Sequence, residues 1–196
     1  MMVADASVWI NLVATGRAHR ILQALPRPLA ITDVALGELE RGRPKGRRAA
    51  DEVAALLHMG LMQVVTLTAE DKALFLSLVV GSASETLDDG EAATLACAVR
   101  LGACAVIDER KATSLAARRL AALNVRCTCD LLLGPDVSSA FGSEELADLL
   151  FAALTDARMR VPDEHAVAII DLIGDRAVYC LSIPLRFRTS GAAGRR

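Results

Sequence analysis

MMVADASVWINLVATG (residues 1–16) places one acid, Asp5, between a short apolar run and a segment with the apolar spacing of a helix. An Asp there can simply cap the helix, because its carboxylate accepts hydrogen bonds from the free N–H groups of the first turn. It can also be half of a site. What the rest of the chain builds around it decides between the two. The same unit, an apolar run followed by an amphipathic stretch, recurs along the sequence. PLAIT (28–32) precedes DVALGELERG (33–42), LMQVVTL (61–67) precedes TAEDKALFLSLV (68–79), GACAVID (102–108) precedes ERKATSLAARRLAAL (109–123), and NVRCTC (124–129) closes the series. Short apolar strands separated by helices predict a parallel sheet, since parallel neighbours need helical crossovers that cover both faces. The expected fold class is therefore a doubly wound α/β sheet of four to five strands, helices on both faces, with a C-terminal helical extension.

A chain of 196 residues with 53% hydrophobic content suffices for one such domain and an appendage. No apolar run reaches the roughly 18–20 residues that span a bilayer. The start also lacks the basic flank and cleavage site of a leader, so a cytoplasmic protein with no membrane partner is expected. Five cysteines, Cys97, Cys104, Cys127, Cys129 and Cys180, form no C-x-x-C pair, and most sit in apolar runs, where Cys behaves as a small hydrophobe. A net charge of −2 and 3% aromatic residues argue against a globally basic or base-stacking nucleic-acid binder. Any polyanion must meet a local patch, and the densest is Arg41, Arg43, Lys45, Arg47 and Arg48, with Arg110 and Lys111 further on. Residues 17–25 and 46–57 read as two additional helical stretches. GPDVSSAFGS (134–143) reads as a loop by composition. SEELADLLFAALTDARM (143–159) and PDEHAVAIIDLIG (162–174) read as a capped helical pair. Their apolar stripes are Leu146, Leu149, Leu150 and Leu154 on the first, and Val167, Ile170 and Ile173 on the second. The division expected is a catalytic domain over 1–133, a helical extension over 134–185 that packs on it or on a partner, and a disordered basic tail over 186–196.

In open parallel sheets the functional crevice lies outside the carboxyl ends of the strands. Asp5 is at such an end, as is Asp108, with Glu109 directly behind it. Glu38 lies early in the helix after PLAIT, and Glu91 in the first turn of the helix begun by LDDGEAATLACAVRLG. Each has a plainer reading: Asp88 and Glu91 match a capping box, Glu38 can pair with Arg41, and Asp5 and Asp108 can cap helices. Gathered together, though, two carboxylates about 4 Å apart repel by roughly 4 kcal/mol at an effective dielectric near 20. Such a cluster calls for a cation, and oxygen-only donors favour Mg²⁺ or Mn²⁺. His19, His58 and His165 fall in amphipathic helical stretches and read as surface or core residues. Ser7 is expected to support Asp5 or cap its helix, Asn11 to face its own helix surface, and Trp9 and Ile10 to be core.

Asp5 in DASVWINL, Glu38 in ELE, Glu91 in LDDGEAATLA and Asp108 in AVIDERK, in that order over residues 1–130, resemble the PIN domain. More particularly they resemble the VapC-like branch, whose third motif reads as a Gly-Glu-Ala helix start. The resemblance implies a PIN-like sheet and a metal-dependent ribonuclease site. Carried over, the acidic quartet is Asp5, Glu38, Glu91 and Asp108, with Glu109 the alternative in fourth place, holding one or two Mg²⁺ or Mn²⁺. Its implied partners are an RNA substrate and, for the toxin of a toxin–antitoxin pair, an antitoxin protein; a homodimer is a further expectation. One rival is a PIN-like regulatory or partner-binding module without nuclease activity, using the C-terminal helices. Another is a phosphohydrolase of the haloacid dehalogenase type, disfavoured because Ser7 stands where that motif has a second Asp.

Overall fold

The computed structural model describes residues 1–42 and 49–188. Five strands, β1 (Met2–Ala4), β2 (Leu29–Thr32), β3 (Met62–Val65), β4 (Cys104–Val106) and β5 (Val125–Arg126), form one all-parallel sheet in the order β3-β2-β1-β4-β5. Helices make every crossing. α1 (Ala6–Ala14) and α2 (Ala18–Ala24) follow β1, and α3 (Asp33–Gly42) and α4 (Ala49–His58) follow β2. α5 (Lys72–Val79) and α6 (Asp89–Arg100) follow β3, and α7 (Arg110–Arg119) follows β4. Beyond β5 come α8 (Thr128–Leu132), α9 (Pro135–Asp156), α10 (Asp163–Ile173), a 3-10 turn over Gly174–Tyr179, and α11 (Leu185–Arg188).

Strand alternation builds the two layers, because successive side chains point to opposite faces. Met2, Ala4, Leu29, Ile31 and Val106 pack with Trp9, Leu12 and the C-terminal helices on one face. Val3, Ala105 and Ile107 pack with α6 and α7 through Leu95, Ala112 and Leu115 on the other. β1 is the middle strand, paired with β2 on one side and β4 on the other. The chain winds outward from β1 through β2 to β3, then returns to β1's other side, so the order reverses between β1 and β4. A crevice opens at such a switch point, and Asp5 and Asp108 stand at the ends of the two strands that flank it.

The C-terminal helices pack in the same chain. Leu146, Leu149, Leu150 and Leu154 are all buried in the core shared with α1 and α8. On α10 the buried stripe is Ala166, Ile169 and Ile173; Val167 is exposed, since at 100° per residue it points off that face. Residues 134–143 are not a loop. Gly134 caps and Pro135 opens α9, Val137 and Phe141 bury one turn apart, and Gly142 at φ 72° kinks the helix before it continues. Arg20 holds this segment, bonding Glu145 at 2.6 Å and covering the Phe141 ring at 4.3 Å. Of the stretch expected to be helical over 46–57, Ala49–His58 is helix, and residues 43–48, with most of the basic cluster, lie outside the described residues. Of the expected tail, Arg186 to Arg188 belong to α11 and Phe187 packs against the core; 189–196 lie outside the described residues. All five cysteines are buried and free. No helix among the described residues is long and apolar enough to cross a membrane.

Candidate active site

Asp5 does both things its position allowed. It is the N-cap of α1, its Oδ2 accepting the Ser7 amide at 3.2 Å and the Ser7 hydroxyl at 2.8 Å. Its Oδ1 is buried with no hydrogen-bond partner among the described residues. Burial pushes the carboxyl above its ordinary range, against the hydrogen bonds from Ser7. A bare buried acceptor costs roughly 1–3 kcal/mol, a cost that a bound cation would offset.

Glu38 and Glu91 reach the same place from opposite sides. In α6, Asp88 caps the helix by accepting the Glu91 amide at 2.8 Å, and Glu91 returns a carboxylate oxygen to the Asp88 amide at 3.3 Å. The capping box is real, yet it leaves Glu91 buried beside other acids. Desolvation first, then the charges of Asp88 and Asp5, raise Glu91 to about 8. Half-buried Glu38 is raised to about 7 by desolvation and the same two neighbours. Asp88, read from the sequence only as a cap, therefore belongs with the site, and the signal was already in LDDGE.

Gly90 explains its own presence. A Cβ built there would lie 2.5 Å and 2.6 Å from the two carboxylate oxygens of Glu38, so the Glu38 head rests on the bare first turn of α6. The backbone amide of Gly90, at the positive end of the helix, favours the charged form of that carboxylate against the desolvation that raises it. Gly90→Ala should displace the acid while stability changes by less than about 1 kcal/mol, since only the end of a flexible side chain must move and Ala favours helix. The expected outcome is an unchanged melting temperature with Mn²⁺ affinity lowered about tenfold by calorimetry.

Asp108 and Glu109 differ sharply. Asp108 is buried and its carboxylate takes three donors: the Thr128 amide at 2.7 Å, the Thr128 hydroxyl at 2.5 Å and the Asn11 amide group at 2.7 Å. Burial nevertheless raises its pKa. Asn11, expected on the helix surface, is instead buried and turned inward, sharing the α1 face with Ser7 one turn before it. A polar residue in an apolar helical stretch was the available clue. Glu109 is exposed, caps α7 through the Lys111 amide, and adds its charge to the field on Glu91.

Two adjoining clefts share Asp5 and Asp88. One of about 320 Å³ adds Asn11, Glu91, Asp108 and Glu109, and the other, about 210 Å³, adds Glu38. All five acids named from the sequence thus line one edge of the sheet. The basic residues in the larger cleft are Arg158 and Arg160, from the turn between α9 and α10, rather than Arg110 and Lys111. A separate trio, Cys127, Asp130 and His165, brings its donor atoms within 4.8 Å of one another. There Asp130 already bonds the Cys127 amide at 2.8 Å and His165 Nε2 at 2.9 Å, an arrangement that fastens α10 to α8.

The raised carboxyls carry a signed pH dependence. Folded Glu38 and Glu91 titrate near 7 and 8 instead of 4.5, so between about pH 4.5 and 8 the folded state binds more protons than the unfolded one. Stability of the metal-free protein should be highest at the acid end of that window and fall as pH rises through it. Melts in chelator should drop by about 5 °C from pH 5.5 to 8, with Mn²⁺ removing the drop by replacing the protons.

No curated protein and no solved structure matches the chain. The family model for the PIN domain matches residues 1–175, running from β1 through the acidic edge and on into the C-terminal helices. With five parallel strands about a central β1 and carboxylates gathered at the switch point, the chain belongs to the PIN domain family.

Proposed function

We propose that the chain is a metal-dependent endoribonuclease of the VapC-like branch, the toxin of a toxin–antitoxin pair, with RNA as substrate and an antitoxin or second copy as protein partner. PIN domains are generally metal-dependent nucleases that typically use divalent metals. The observation that carries the reading is Asp5, which lines both clefts together with further carboxylates and whose Oδ1 is buried with no hydrogen-bond partner among the described residues. The donor set is all oxygen, which suits Mg²⁺ or Mn²⁺.

The residues that would hold the ion are Asp5, Glu38, Glu91 and Glu109, with Asp88 beside them. When bound, the ion lowers the pKa of a water and neutralises charge on the scissile phosphate. Ser7 fixes the Asp5 rotamer by donating its amide and its hydroxyl to Oδ2. Gly90 seats Glu38 at the α6 N-terminus. Asp108 acts one step back in this reading, holding Asn11 and Thr128 while the freer Glu109 takes the fourth place.

Incubating labelled single-stranded RNA with the protein tests this: cleavage is expected with Mg²⁺ or Mn²⁺ and none with chelator. Intact RNA under all metal conditions would leave the rival, a partner-binding module. That rival draws on Val178, Tyr179, Leu181 and Leu185, which are 60 to 72% exposed near the C-terminus. It gives no reason for the bare Asp5 oxygen.

A further inference from the structure

We propose that Arg158 is a phosphate-binding residue of the acidic crevice, engaging a backbone phosphate of single-stranded RNA next to the one cleaved; this rests on the nuclease reading above. Among the described residues Arg158 is the one non-glycine residue at positive φ, 55°. It ends α9 and turns the chain back toward α10, with the Met159 amide closing on the Ala153 carbonyl at 3.0 Å. Glycine is the usual residue at such a left-handed position, because a Cβ there is strained. An arginine therefore holds the place at a conformational cost.

Its surroundings say what the side chain is for. Met159 and Val161 beside it are buried in the core, and Arg160 bonds the Asp108 backbone carbonyl at 2.8 Å, so the turn is fastened to the end of β4. The Arg160 carbonyl also accepts the Cys129 thiol at 3.6 Å. Arg158 alone stands exposed, lining the cleft with Asp5, Asp88, Glu91 and Glu109. Beside so many carboxylates an arginine would be expected to pair, yet it makes no ion pair or hydrogen bond among the described residues. A planar guanidinium held free at the mouth of an anionic crevice matches a phosphate bidentately once cations have offset the acids. The C-terminal hairpin thereby contributes to the substrate groove.

The test compares wild type, Arg158→Gly and Arg158→Lys by RNA-binding anisotropy in Ca²⁺ across a salt series, Mn²⁺ calorimetry, cleavage kinetics and thermal melts. Arg158→Gly should melt at or above the wild-type temperature, bind Mn²⁺ equally, and bind RNA about tenfold more weakly. Its slope of log K against log salt should be shallower by about 0.7, one lost phosphate contact on a single strand. KM should rise more than kcat falls, and Arg158→Lys should recover part of the binding and the slope. An unchanged slope and affinity in Arg158→Gly, with wild type still binding and cleaving RNA, would overturn the proposal and leave the nuclease reading standing. RNA that binds with the predicted slope change but is not cleaved would support Arg158 and sink the nuclease reading. No RNA binding by wild type would overturn both.

Discussion

Asp5→Asn should lower metal-dependent RNA cleavage by about a thousandfold while the protein stays folded, and in chelator at pH 8 it should melt at or slightly above the wild-type temperature. The two effects have different sources. Activity is expected to fall because Asp5 lines both acidic clefts, with Oδ1 unpartnered among the described residues, and an amide in place of the carboxylate binds a divalent ion weakly. Loss of several kcal/mol of charge stabilisation at a reacting phosphate corresponds to about three decades of rate. Stability holds because Asn caps a helix as well as Asp does and can keep the Ser7 contacts. Removing the charge also relieves Glu38 and Glu91, whose raised pKa values owe part of their shift to Asp5. Cleavage assays and melts on one preparation check both halves. Equal activity in the two proteins would end the catalytic reading of Asp5, and a large loss of stability would mean that the carboxylate itself, beyond capping, holds this part of the fold.

Asp108→Ala should be the most destabilising change at the site, by about 3 kcal/mol, or a fall of roughly 6–12 °C in melting temperature. Three donors lose their acceptor, two of them from Thr128 at the start of α8 and one from Asn11 inside α1. Each buried donor left without a partner costs about 1–3 kcal/mol, offset in part because a carboxylate no longer has to be desolvated. Glu109→Gln, one residue on, should leave the melt within about 0.5 kcal/mol because Glu109 is exposed, yet weaken Mn²⁺ binding at least about tenfold. Denaturant unfolding and Mn²⁺ calorimetry on the pair separate an anchoring acid from a liganding one. The reverse pattern would restore Asp108 as the fourth ligand.

Local chemistry alone determined a good deal. Apolar runs such as AVI before Asp108, each followed by an amphipathic stretch, require parallel strands joined by helices, and the observed all-parallel sheet of five strands is what those runs predict. The acids stood at strand ends and within the first two turns of helices, so their meeting at one edge followed from topology. The capping box at LDDGE was also readable, because its bonds span three residues. Contacts made by chains of packing far apart in sequence were not readable. Only the folded chain decides that Oδ1 of Asp5 is the bare oxygen, that Asn11 turns in to Asp108, and that Glu38 needs the missing side chain of Gly90. The loop expected over 134–143 became helix because Val137 and Phe141 found a core to bury in, a gain that composition cannot register. Arg158 fell near the end of the stretch read as a helix over 143–159, and nothing near it in sequence marks it. It reaches the acids because α9 and α10 bury their leucine and isoleucine faces on the sheet layer, and that burial, far from the site, delivers their connecting turn to the mouth of the crevice.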